Sequence, residues 1–178
     1  MLFAGKLEHN KGAHLLPEVV ERSGVKMPLV VAGDGSLEES IRARAQAQGL
    51  DFRFVSWMDN AAIIRLMRAA RVLVFPSAWQ EPLSRVLLEG CAAGAAIAAL
   101  KTGGTSDIIT HLESGWLAGD LDDLAASVAA LALDDALNSH VRSGARAKAK
   151  EAFSSDVVAA RVEEVYRDAL ARAEARLK

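Results

Sequence analysis

RVLVFPSAWQEPLSRVLLEGCAAGAAIAAL, residues 71–100, is the stretch on which the reading of the fold turns. Arg71–Phe75 is a short apolar run that ends at Pro76 and reads as a buried strand. Ser84–Ala93 reads as a helix, and Ala96–Leu100 as a second buried strand. From Val86 to Leu100 there are fifteen residues and a single charge, Glu89. Removing an unpaired carboxylate from water is costly, so buried acids are normally paired, protonated or bound to something. Glu89 therefore either lies on a solvated helical stripe or faces a site that satisfies it.

Working outward, the same alternation continues in both directions. Leu2–Gly5 reads as a strand, Gly12–Gly24 as a helix, Leu29–Ala32 as a strand and Ser36–Gln48 as a helix. Ser36 and Glu39 have capping-box spacing, and Gly49 supplies a stop. Phe52–Val55 follows as a strand, then Asn60–Ala70 as a helix, with room for a short sixth strand at Trp116–Leu117. Short apolar strands separated by helices, without alternating polarity, predict a parallel sheet covered on both faces. Right-handed crossovers make this a Rossmann-like, doubly wound α/β domain. After Gly119 the chain is alanine-rich and helical, over Asp122–Leu133, Asn138–Glu151 and Ser155–Lys178. The last of these places Val158, Val162, Val165 and Leu170 near one face.

The 178 residues suit one domain, 51% hydrophobic and 25% charged with a net charge of −2. No basic run points to nucleic acid. Cys91, the only cysteine, sits among apolar residues and reads as a packed thiol. No apolar run reaches the roughly 20 residues of a membrane helix, and no signal-peptide pattern opens the chain. The default reading is cytoplasmic, with peripheral association of the full-length protein with a membrane left open. MLFAG begins a strand almost without lead-in, which fits a domain cut from a longer chain.

Ligands of an open parallel sheet bind beyond the carboxyl ends of its strands. The loops on that edge are Gly5–Gly12, Gly33–Ser36, Ser56–Asp59, Pro76–Glu81 and Lys101–Asp107, rich together in glycine, lysine, hydroxyls and acids. Their convergence points to a phosphorylated ligand, with Lys6 and Lys11 flanking a glycine-bounded loop that opens a helix. GxGxxG and Walker patterns are missing, which argues against nicotinamide and P-loop readings. His9, His14, His111 and His140 are scattered, and no His/Cys/Asp cluster has metal-ligand spacing. Glu81 and Glu89 are eight residues apart; at about 1.5 Å per residue that is at most roughly 12 Å, wider than a glycosidase acid pair. The spacing suits an extended ligand whose diphosphate lies between the two acids, facing the backbone N–H groups of Leu83, Ser84 and Arg85.

These residues match a family pattern. AGKLEHNKG, VVAGDGS, FVSWMDNAAIIRLMRAARVLVFPS, EPLSRVLLEGCAAG and KTGGTSDIITHLESGWLA occur in the family's order. The chain resembles the C-terminal, donor-binding half of retaining GT-B glycosyltransferases of the group 1 class, family 4. The likeness covers about residues 2–120, with a weaker echo in Phe153–Tyr166. It implies that Glu81 bonds donor-sugar hydroxyls, within an E-x7-E signature, and that the backbone at Gly5, Leu83 and Ser84 meets sugar and phosphate. It further implies that Glu89 accepts from ribose hydroxyls, that Lys11 and Lys6 neutralise the diphosphate, and that Ser56-Trp57 meets the nucleobase.

The expected activity is hexosyl transfer from a UDP-, GDP- or ADP-sugar with retention, needing no cofactor and no metal. The acceptor is a glycan, lipid or small molecule that these residues do not specify. The family's N-terminal acceptor domain is absent from the chain, which is expected to transfer little by itself. Lys6 stands for the usual arginine, Gly90 for alanine, Ala95-Ala96 for Pro-Val and Asp107 for glutamate. A sugar-nucleotide epimerase shares the fold, and a non-catalytic nucleotide-binding or scaffolding domain is the third reading. Product analysis separates the epimerase, and saturable nucleotide binding separates a scaffold.

Overall fold

The computed structural model describes residues 1–56 and 58–176. The strands are β1 (Leu2–Ala4), β2 (Leu29–Ala32), β3 (Phe52–Val55), β4 (Leu73–Phe75), β5 (Ile97–Leu100) and β6 (Trp116–Ala118). Between and after them run α1 (Leu16–Ser23), α2 (Glu38–Ala47), α3 (Asn60–Ala69), α4 (Arg85–Ala93), the one-turn α5 (Thr105–Ile108), α6 (Leu121–Leu133), α7 (Asp135–Phe153) and α8 (Ser155–Arg176). The sheet order is β3-β2-β1-β4-β5-β6, and every adjacent pair is parallel. This is the doubly wound α/β sheet that the spacing of short apolar runs predicts.

Both faces of the sheet are buried, which is why its strands lack polar alternation. Phe3, Val31, Val74 and Ala98 face a core shared with Leu16 and Val19 of α1 and with Leu124 and Val128 of α6. Leu2, Ala4, Leu73, Phe75 and Ile97 face a second core containing Met67 of α3 and Leu87 and Cys91 of α4. Burial pushes the Cys91 thiol up to about 12, outweighing the attraction of Lys148, so it is a packed side chain and not a nucleophile.

Two local expectations give way. The segment from Gly12 is not helical from its start. Two 3₁₀ turns, His9–Lys11 and Ala13–Leu15, precede α1, whose first turn is set by Pro17. Gly12 adopts φ 68°, and a Cβ there would run into the Pro76 carbonyl. Ser36 does not cap α2 either. Its N–H (3.1 Å) and hydroxyl (2.8 Å) both donate to the Glu8 carboxylate, and α2 begins at Glu38 without a side-chain cap. A tertiary acceptor has outcompeted the local one. Those bonds, the main-chain one foremost, hold the Glu8 carboxyl below its usual range.

The final helix stands apart from both cores. Val158, Val162, Val165, Tyr166 and Leu170 of α8 are all exposed, and its packing onto the body is with α7. No helix among the described residues is long and apolar enough to cross a membrane.

Candidate functional site

The chain runs outward from β1 to β3, then returns to lay β4 beside β1. Loops leave that junction in opposite directions and a crevice opens at the carboxyl ends, where doubly wound sheets bind ligands. A cavity of about 560 Å³ lies there, floored by Ala4, Gly5 and Phe75. Lys6, Lys11, Glu81, Leu83, Ser84 and Glu89 all line it. Seven of the nine residues that the family resemblance picks out, Gly5 included, thus share one cavity. Ser56 lies just past β3, is exposed and is not on the wall, and Trp57 falls outside the described residues.

Each element has a local reason for its placement. Ser84 caps α4, its hydroxyl accepting from Leu87 N, and it is buried. The helix proper therefore starts at Arg85, one residue later than the sequence suggests, and the first-turn N–H groups of Arg85 and Val86 lack partners within the helix. Both residues line the cavity. The positive end of α4 is accordingly turned to the same space as the two lysines. By contrast, the lysine-bearing loop leads into 3₁₀ turns, so α1 presents no helical N-terminus at that point.

At the centre, Lys11 Nζ donates to Glu81 Oε1. The carboxylate is the better buried partner, with 12% of its side chain exposed against 32% for the lysine. Lys6 is exposed and makes no ion pair among the described residues. Just over one turn into α4, Glu89 Oε1 accepts from Asn60 Nδ2 at 3.0 Å. Glu89 is half-buried, so it lies on neither a dry core face nor a fully wet stripe.

The segment carrying Glu81 is braced from behind. Thr102 Oγ1 donates to Ser77 O (2.9 Å), Gly103 N to Gln80 Oε1 (2.8 Å) and Gly104 N to Glu81 O (2.7 Å). A Cβ on Gly104 would collide with the Pro82 carbonyl. The Lys101–Asp107 loop therefore supports the site without lining it, and Asp107 is exposed away from the cavity wall. On the other side, Ser77 Oγ donates to Asn10 O (3.2 Å), tying the β4 loop to the lysine loop.

The sequence reading missed Asn60, Met58 and Ile63 as lining residues, whereas Arg85, expected there for its main-chain N–H, does line the cavity. Asn60 follows Asp59, which caps α3 by accepting from Ala62 N at 2.7 Å. Only the packing of α3 on α4 brings it to Glu89. The histidines are elsewhere: His111 Nδ1 accepts from Leu117 N (3.1 Å), and His9 and His14 lie ring to ring at 4.6 Å. Among the described residues no three His, Cys, Asp or Glu side chains converge as a metal site.

Residues 1–150 match the family model described as "Glycosyl transferases group 1". The chain is 33% identical over 175 residues to phosphatidyl-myo-inositol mannosyltransferase of Mycobacterium leprae, covering 93% of this chain and 46% of that protein. It is 29% identical over 134 residues to spore coat protein SA of Bacillus subtilis, covering 69% and 36%. It superimposes on Anabaena HepE, solved in complex with UDP, with a TM-score of 0.85 and 22% identity over 94% of this chain and 48% of that one. That last likeness speaks to the fold. The chain spans less than half the length of each of these relatives. A six-stranded doubly wound sheet with this motif order, matched over most of its length, belongs to the group 1 glycosyl transferases.

Proposed function

We propose that this chain is the donor-binding domain of a retaining hexosyltransferase, of family 4 within group 1, and that its cavity holds a nucleotide sugar. The carrying observation is the convergence of Lys6, Lys11, Glu81, Glu89 and the amino end of α4 in one cavity at the sheet's switch point. In this reading the diphosphate lies against Lys6, Lys11 and the N–H groups of Arg85 and Val86. Glu81 accepts from donor-sugar hydroxyls beside the main chain of Leu83 and Ser84. Glu89 accepts from the ribose diol through charge-assisted bonds, and the turn at Ser56-Trp57 meets the base. UDP-sugar is the donor that the Anabaena relative's UDP complex favours.

The chemistry follows from charge. Cleaving the sugar–phosphate bond leaves negative charge on the diphosphate and an oxocarbenium-like sugar. Fixed ammonium groups and amide dipoles stabilise that charge as it develops, and one such donor is typically worth about 3–4 kcal/mol. On this reading the two lysines provide the countercharge, and the step calls for no metal. When a donor enters, the phosphates compete with Glu81 for Lys11, which releases the carboxylate to the sugar.

Calorimetric titration with UDP, GDP and ADP tests the reading. Saturable binding of at least one is expected, weakened about tenfold or more by Lys11→Ala and by Glu89→Ala, the scale of a lost charge-assisted bond. The Lys11→Ala loss falls on the diphosphate and spares the parent nucleoside. Saturable binding of none by the wild type, as a scaffold would show, overturns the proposal.

A further inference from the structure

Glu89 stands on a divide. On one side is the cavity just described; on the other flank of α4 is a second, of about 460 Å³, between α4, α7 and the start of α8. Glu89 lines both, and the second cavity is also lined by Arg146 and Lys150. Neither cation forms an ion pair among the described residues. Two cations on the far side are an attractive alternative for a half-buried carboxylate on a flexible stem. Yet Glu89 is turned the other way, with Oε1 accepting from Asn60 Nδ2 at 3.0 Å.

Asn60 is well built for that task. It is the first residue of α3, whose start is fixed by the Asp59 cap and whose Ile63 and Met67 pack toward the core. Only the NH₂ of an asparagine can face a carboxylate, so the amide orientation follows from the partner. Glu89 Oε2 makes no hydrogen bond among the described residues.

We infer that Asn60 is a positioning residue: its amide holds the Glu89 carboxylate on the donor side of α4, so that the free oxygen meets the ligand's vicinal diol. This rests on the reading of Glu89 given above and extends it to a residue outside the motif. The preference of the site for a ribose over a ring without hydroxyls then depends on Asn60 through its hold on Glu89.

The test compares binding of a nucleoside diphosphate, UDP, with binding of its 2′,3′-dideoxy analogue. Glu89→Gln is the control for the underlying reading: if it leaves the ratio of the two affinities unchanged, Glu89 is not the diol acceptor and that reading fails. If Glu89→Gln collapses the ratio, Asn60→Ala should reduce it about three- to tenfold, less than the tenfold or more of a directly lost bond to a charged group because Glu89 itself remains. Adding Arg146→Ala and Lys150→Ala to Asn60→Ala should restore part of it, because the competing cations are gone. A wild-type ratio in Asn60→Ala overturns the inference while leaving the diol reading intact.

Asn60→Asp gives a readout that a merely structural role would not move. The charges facing the pair are Lys6, Lys11, Glu81 and Arg85 around the first cavity and Arg146 and Lys150 around the second. Two adjacent carboxylates share a proton more readily than either takes one alone. The protonated acid can donate as the amide does, so diol preference should rise in Asn60→Asp, relative to the wild type at the same pH, as pH falls. A flat profile in Asn60→Asp also overturns the inference.

Discussion

The loops leaving β1 and β5 are written in the same residues and do different work. Gly5–Gly12 holds two lysines between glycines, and Lys101–Thr105 holds a lysine, two glycines and two threonines. The first lines the cavity; the second packs its glycines against the backbone of residues 80–82 and donates to the Gln80 side chain and the Glu81 carbonyl. The reason is the position of each strand. β1 borders the switch point, whereas β5 lies one strand farther out, behind the loop that leaves β4. A glycine in a loop reports that something comes close, and the sheet order decides whether that is a ligand or another stretch of main chain.

Glycine substitutions should break this contrast most visibly. Gly104→Ala drives a methyl into the Pro82 carbonyl, a backbone clash that side-chain motion cannot relieve. Overpacking of this kind costs about 1–3 kcal/mol, or roughly 2–12 °C in melting temperature for a chain of this size. Because Gly104 braces Glu81, donor binding should weaken as well, read by calorimetry beside the melt. A variant that melts like the wild type would mean that the support is dispensable.

The lysines sharpen the contrast with a smaller effect. Lys11→Ala removes a cation from the cavity, and Lys101→Ala one from the supporting loop. Nucleoside diphosphate affinity should fall about tenfold or more for the first and by less than about twofold for the second, the gap between a direct charge-assisted bond and a screened surface charge. Equal losses would put both loops on the ligand.

The smallest effect belongs to the segment after the first loop. His14 packs on His9 and its Nδ1 is buried without a hydrogen-bond partner. Burial first, then the charges of His9 and Arg44, hold it below its ordinary 6.5 despite the attraction of Glu18. The folded chain thus takes up this proton less readily than the unfolded one, so the contribution is full above 6.5 and is lost as pH falls below it. Denaturation midpoints should drop as pH falls from about 6.5 to 5.5, and His14→Leu should flatten that drop. Identical slopes would show that the ring is solvated.

Much of the architecture was legible because strand burial and helix capping leave local marks. The LVVA of β2, the LVF of β4 and the IAAL of β5 are largely buried apolar runs, and each reads directly as a strand covered on both faces. The E-x7-E spacing likewise set Glu81 ahead of α4 and Glu89 within it. The start of α2 was misread because Ser36 has the residue type and spacing of a cap, while the Glu8 carboxylate that claims it is 28 positions away. α5 and the exact first residue of α4 depended on contacts of the same long-range kind.

By itself, then, the order of residues determined a parallel doubly wound sheet, its family, and an acid-bearing helix beside two lysines. Tertiary structure alone decided which loops face the cavity, that Lys11 pairs with Glu81, and that Asn60 of a neighbouring helix donates to Glu89. Period and capping are written within a few residues, and they survive in any fold. Pairing across a sheet edge depends on where distant segments meet, and that is set by strand order and helix packing.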